Sequence, residues 1–159
     1  MNHKLISVLL KVCIAAAVII VLLAYCLYLP AFMAVMTWDT LSVEPWLKPW
    51  SCVLYPTSLP IFAAAVLGWL VVHSIGKDKC FTHSNAKYLK VISWLAFSDA
   101  AYFMAGNIVM LFMNMNHPGI LIISMFISFA GAAIGIAFAA LSHLTEKAAL
   151  MQDDTDLTI

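Results

Sequence analysis

The sequence contains no arginine; all eight basic residues are lysine. The planar fork that grips a phosphate or carboxylate at two points is therefore missing. Charge of either sign is scarce. Asp, Glu, Lys and Arg together make up 10% of the chain, and the formal net charge is zero. Soluble domains average about 25% charged residues. Sparse, balanced charge leaves no electrostatic footprint for nucleic acid, so no direct nucleic-acid partner is expected. The four cysteines, Cys13, Cys26, Cys52 and Cys80, form no CxxC pair. Such scatter excludes a disulfide framework and a zinc site. HExxH, GxSxG and the Gly-rich phosphate loop are all missing, so no catalytic residue is assigned and the chain reads as a non-enzyme. His73 and His143 sit at the ends of apolar runs without the buried, facing geometry that haem needs. No cofactor or metal is expected.

Apolar residues, in contrast, make up 64% of the 159 positions. A soluble fold of this size cannot hide so much apolar surface, so lipid is the expected solvent. A membrane span takes about 20 residues, and four runs qualify. The first extends from Leu5 to Met36, broken only by Lys11 and Pro30, and gives a span from Val12 to about Met36. It is too long for a signal-peptide core and lacks a clean small-x-small cleavage site. A lipoprotein site at Cys26 is disfavoured by bulky Tyr25. The second span is placed at 56–75, with Pro56 and Pro60 in its first turns. The third runs over 88–113. After a tight turn at Asn114–Gly119 the fourth runs over 118–143, its helix continuing toward Met151. Short connections favour antiparallel neighbours. The expected fold is an all-α membrane protein, an antiparallel up-down bundle of four transmembrane helices.

Lysine placement predicts direction. Lys4, Lys11, Lys77, Lys79, Lys87, Lys90 and Lys147 fall on one side of the bundle and only Lys48 on the other. The positive-inside rule then puts both termini, the connection 76–87 and the tail 144–159 in the cytoplasm. The connection 37–55 is external, with Trp38, Trp46, Trp50 and Tyr55 suited to the headgroup level. Pro45 and Pro49 are expected to limit its helix content.

Asp99 is the residue most in need of explanation. It lies roughly 12 Å into the third span at 1.5 Å per residue. A carboxylate there costs about 2.5–3.5 kcal/mol on insertion scales. It should face the bundle, either as a proton, cation or ligand site or as a buried acid hydrogen-bonded to a neighbouring helix. Tyr102 flanks it, and Asn107 points elsewhere on the same helix; these three form the candidate sensing set. No intramembrane lysine pairs with Asp99, which argues against a transporter relay. In the fourth span Gly131 and Gly135 form a GxxxG pair, extended by Ser124, Ser128, Ala139 and His143 at helical steps. Such a ladder lets helices approach closely, within the bundle or across a homo-oligomer.

At the lysine-rich side, Gly76 suits a left-handed helix end. Thr82 is a good N-cap, with Asn85 placed as in a capping box. The acidic cluster Asp153, Asp154 and Asp156 precedes an apolar end, Leu157-Thr-Ile159. This is either a frayed terminus or a docking peptide whose apolar end fills a groove on a cytosolic partner.

Phe81-Thr-His-Ser-Asn-Ala-Lys-Tyr-Leu-Lys90 and the ending Leu150-Met-Gln-Asp-Asp-Thr-Asp-Leu-Thr-Ile159 resemble segments of the YoaS-like family of bacterial membrane proteins, a domain of unknown function. The sequence departs mildly, with Asp154 where glutamate is common, lysines in place of arginines, and His83 in the connection. The resemblance implies four spans in a bacterial plasma membrane and a small helix-turn-helix regulator as partner. It carries over no catalytic residues. Together these features lead to an expected membrane sensor or tether. Its docking candidates are Phe81, Thr82, Asn85, Asp153, Asp154, Asp156, Leu157 and Ile159. The alternative is a small transporter or transporter subunit that uses Asp99.

Overall fold

The computed structural model describes residues 3–31, 44–77 and 81–156. All regular structure among them is helical. The helices are α1 (His3–Leu23), α2 (Glu44–Leu54), α3 (Ser58–Ile75), α4 (His83–Phe112) and α5 (Pro118–Asp156). Four stretches are long and apolar enough to cross a bilayer: Leu5–Ala31, Lys48–Ile75, His83–Phe112 and Pro118–Asp154. The protein is thus an all-α membrane protein with four transmembrane helices in an antiparallel bundle. Helix α1 packs on α3, α3 on α4, and α4 on α5, the last pair making the broadest contact.

Packing is dominated by small and polar side chains. Ser7, Thr57, Ser93, Asn107, Asn116, Ser124 and Ser142 are buried, whereas Phe112, Phe126, Phe129 and Ile20 face outward. In lipid, outward apolar surface costs nothing, and helices gain by close approach and interhelical hydrogen bonds. The inward face of α1 follows this logic with Ser7, Lys11, Ile14, Val18, Val21 and Tyr25, spaced alternately by four and three residues. Beyond Leu23 the helix widens into a π turn at Ala24–Tyr28, where the Leu29 N–H reaches Ala24 O. Pro30 follows; its ring would crowd the carbonyl four residues back, and a wider turn makes room.

The segment Glu44–Leu54 is helical, with Pro49 inside it, contrary to the expectation of low helix content. Pro45 falls in the first turn, where a missing N–H costs little. Pro49 forfeits one backbone bond, and tertiary contacts offset that loss. Trp50 Nε1 donates to Met115 O at 3.1 Å. Val53 is buried so closely on α4 that a Cβ added at Gly106 would lie 2.6 Å from its Cγ1. A 3-10 turn, Tyr55–Thr57, carries α2 into α3. The second apolar stretch therefore begins near Lys48 rather than at Pro56. Residues 37–43 of this connection, including Trp38, lie outside the described residues.

Gly76 ends α3 with φ −66°, so it is right-handed, not left-handed as its position suggested. Glycine is required there by proximity. A Cβ would stand 2.7 Å from Ser7 Oγ, which itself donates to Val72 O at 2.9 Å. The left-handed residue is Asn114, φ 60°, after α4. Met115 N–H bonds Met110 O at 2.9 Å and Asn114 N–H bonds Leu111 O at 3.0 Å. This is the Schellman pattern, and asparagine tolerates its left-handed position.

Candidate functional site

A partly open cavity of about 630 Å³ is bordered by α1, α3, α4 and α5. Leu10, Ile14, Ala64, Gly68 and Phe138 are among its apolar walls, and Asp99 is its one ionisable lining residue. A smaller chamber of about 280 Å³ meets it along Ile61, Asp99 and Gly131. Tyr25, Thr57 and Ser128 line this second chamber. Asp99 thus borders both spaces, and the smaller one adds three hydroxyl-bearing side chains to it.

Thr57 Oγ1 donates to Leu54 O at 2.6 Å. Its single hydrogen is then used, so the 2.5 Å contact with Tyr25 has the phenol as donor. Tyr25 keeps lone pairs as an acceptor. Asp99 Oδ1 and Ser128 Oγ are buried without any hydrogen-bond partner among the described residues. Buried polar atoms are nearly always paired, and two unpaired ones lining one chamber mark a place where chemistry is left open. The π turn at Ala24–Tyr28 contains Tyr25, in keeping with the frequent use of such turns at functional sites.

The other two members of the expected sensing set lie elsewhere. Tyr102 OH donates to Cys52 O at 2.8 Å, tying α4 to α2. It does not border either Asp99 chamber. Asn107 is fully buried, and its amide is hydrogen-bonded through both its nitrogen and its oxygen. Its Nδ2 donates to Phe103 O at 2.9 Å. Its Oδ1 accepts from Ser124 Oγ at 2.7 Å and from Asn116 Nδ2 at 3.3 Å. This network locks the α4–α5 turn, and Asn107 lines neither Asp99 chamber. Ser128 was legible only as part of a small-residue ladder. Tyr25 and Thr57 carried no sequence signal, because no local pattern shows which helix faces meet.

The ladder itself packs within the bundle. A Cβ at Gly131 would meet Ala100 Cβ at 3.3 Å, and one at Gly135 would meet the Phe97 ring at 3.2 Å. Ala139 is exposed. It borders an outer groove with Lys90, Trp94 and His143.

At the lysine-rich end, Thr82 caps α4 as expected, its Oγ1 accepting from Asn85 N–H at 3.3 Å. Asn85 is only 1% exposed, so it supports the helix start rather than offering a docking surface. Ser142 Oγ donates to Ala86 O at 2.7 Å and holds α5 against the same turn. His83 Nε2 lies 3.3 Å from Asp153 Oδ2, bringing the start of α4 to the far end of α5. Phe81 stays exposed beside it. Asp154 is exposed as well. Asp156 closes α5, and Leu157 and Ile159 lie outside the described residues. Among the described residues no group of three or more His, Cys, Asp or Glu could hold a metal ion.

Residues 33–159 match the family model described as protein of unknown function (DUF2975). The chain belongs to this family. It is also 30% identical over 108 residues to the uncharacterized membrane protein YoaS of Bacillus subtilis (strain 168). That alignment covers 67% of this chain and 68% of the relative. No solved structure matches. Neither description assigns a reaction.

Proposed function

We propose that the protein is a sensor or tether in a bacterial plasma membrane, with both termini in the cytoplasm. Its cytoplasmic face engages a small helix-turn-helix regulator. The observation that carries this reading is the His83–Asp153 contact. Residues 70 positions apart in sequence meet there. The segment 81–90 and the last described turns of α5 at Asp153 thereby share one surface. Helix α5 has 39 residues. At 1.5 Å per residue it is about 58 Å long, close to twice a ~30 Å hydrocarbon core. Its last turns therefore stand clear of lipid. Exposed Phe81 offers an apolar contact, and Asp153 and Asp154 offer charge to a basic rim on the partner. A change in the Asp99 chambers would pass to this surface through α4 and α5. It would act only if the two packing states bind the regulator differently.

Co-purification from native membranes in mild detergent tests the proposal. Recovery of a helix-turn-helix protein supports it; recovery of the protein alone, or with a transport complex, contradicts it. A second reading, a small transporter or transporter subunit, has the unpaired Asp99 oxygen in its favour. It requires gradient-driven flux in proteoliposomes that Asp99→Asn abolishes.

A further inference from the structure

We propose that the joined chambers at Asp99 bind a cationic amphiphile, a primary ammonium group carried on an unbranched apolar tail. The role of such binding as a signal rests on the sensor reading above, but binding itself needs no regulator.

The larger chamber, about 630 Å³, is walled almost wholly by aliphatic and aromatic carbon. It suits an alkyl chain and offers a sugar or nucleotide nothing to bond. The smaller chamber, about 280 Å³, is also walled mainly by carbon, but Tyr25, Thr57, Asp99 and Ser128 all border it. Asp99 Oδ1 and Ser128 Oγ have no partner among the described residues. Tyr25 donates its own hydrogen to Thr57 and has lone pairs to spare. An ammonium carries three N–H donors and no acceptor. Three acceptors, one of them a carboxylate, match it in number and charge. An alcohol of the same length brings one donor and no charge, so it leaves oxygens unpaired. A fatty acid brings a second carboxylate against Asp99.

The arrangement also explains why an acid persists there. Without a cation the carboxylate must be neutralised by a proton or bear the cost of burial. With an ammonium in place the charge is paired and hydrogen-bonded, the condition under which a buried charge is tolerated. The two volumes together fall in the ordinary range for small-molecule sites, about 300–1,000 Å³. Asp99 borders both chambers, so a headgroup there has its tail directly in the apolar space. Entry from the bilayer suits an amphiphile that already partitions into lipid.

The test is equilibrium binding of radiolabelled octylamine to the full chain in nanodiscs of zwitterionic lipid at neutral pH, with empty nanodiscs as background. 1-Octanol and octanoate serve as competitors. Expected are saturable binding at one site per chain, poor competition by both competitors, and a loss of affinity of about tenfold or more in Asp99→Asn. Affinity should rise from butylamine to octylamine. Ala64→Phe, which fills the apolar chamber, should flatten that rise while leaving Asp99 in place. If Asp99→Asn does not fold, Ser128→Ala and Ala64→Phe carry the test. Non-saturable binding, competition by octanol equal to that by octylamine, or unchanged affinity in Asp99→Asn overturns the proposal. The assay contains no regulator, so such a failure leaves the docking reading standing. Saturable, Asp99-dependent binding supports the site even where recruitment of a regulator fails.

Discussion

Asp99 and Ser128 border one chamber from neighbouring helices, α4 and α5, and each leaves a buried oxygen without a hydrogen bond among the described residues. An acid kept for structure would be paired, and its removal would weaken the fold. This acid is unpaired, so its removal should do the reverse. Asp99→Leu is expected to raise stability by about 1–3 kcal/mol, the desolvation cost of an unmade hydrogen bond. The adjoining chambers have room for the larger side chain. Denaturant unfolding in detergent checks the sign, and a clear loss of stability would show that Asp99 is a structural residue.

Asn107 should behave in the opposite way. Asn107→Ala removes the acceptor for buried Ser124, while Asn116 Nδ2 keeps its bond to Asn107 O at 3.2 Å. Stranding the Ser124 donor, with the loss of the Asn107 amide's own bonds, should cost about 2–3 kcal/mol. Ser124→Ala, which leaves Asn107 Oδ1 its bond from Asn116, should cost only about 0.5–1.5 kcal/mol. Unfolding of the two variants side by side measures the difference, and equal losses would contradict the network.

The α2–α4 contact predicts a rescue. Gly106→Ala places a Cβ 2.6 Å from Val53 Cγ1 and 3.1 Å from Cγ2. Valine is stiff about χ1, so the clash should destabilise by about 1–3 kcal/mol. Val53→Ala removes both methyl groups. The double variant should therefore lose less than the sum of the two single losses. Simple additivity would mean that α2 does not seat against Gly106.

Direction across the membrane gives a further expectation. In a cysteine-free background, Lys77→Cys should react with a membrane-impermeant thiol reagent only in inverted vesicles. His117→Cys, at the opposite end of the bundle, should react in intact cells. The reverse pattern would overturn the placement of residues 76–87 in the cytoplasm.

The four spans were legible because a bilayer demands long apolar helices, and runs such as Leu5–Ala31 meet that demand. The Thr82 cap was legible because capping is local. What remained hidden depends on which faces meet. In a soluble helix the apolar stripe marks the buried face, but α3 is apolar all round, with Val66 turned outward and Val72 inward. Tyr25 and Thr57 could not be joined from sequence for that reason. Gly76 misled in a different way. A glycine after a helix suggests a left-handed end, yet here it makes room for Ser7, 69 positions away. Asn114 took the left-handed role instead. Pro49 likewise stands within a helix because Trp50 and Val53 anchor that helix to distant residues.

The central claim is that the surface joined by His83 and Asp153 holds a cytosolic regulator. Its most direct test is membrane fractionation of cells that express a tagged helix-turn-helix regulator, the one recovered by co-purification, with the full chain or with the chain lacking Asp153–Ile159. The account predicts that the regulator sediments with membranes containing the full chain and returns to the soluble fraction with the truncated one, while both chains insert to the same level. Equal recruitment by the two chains, or a regulator that stays soluble with the full chain, would contradict it.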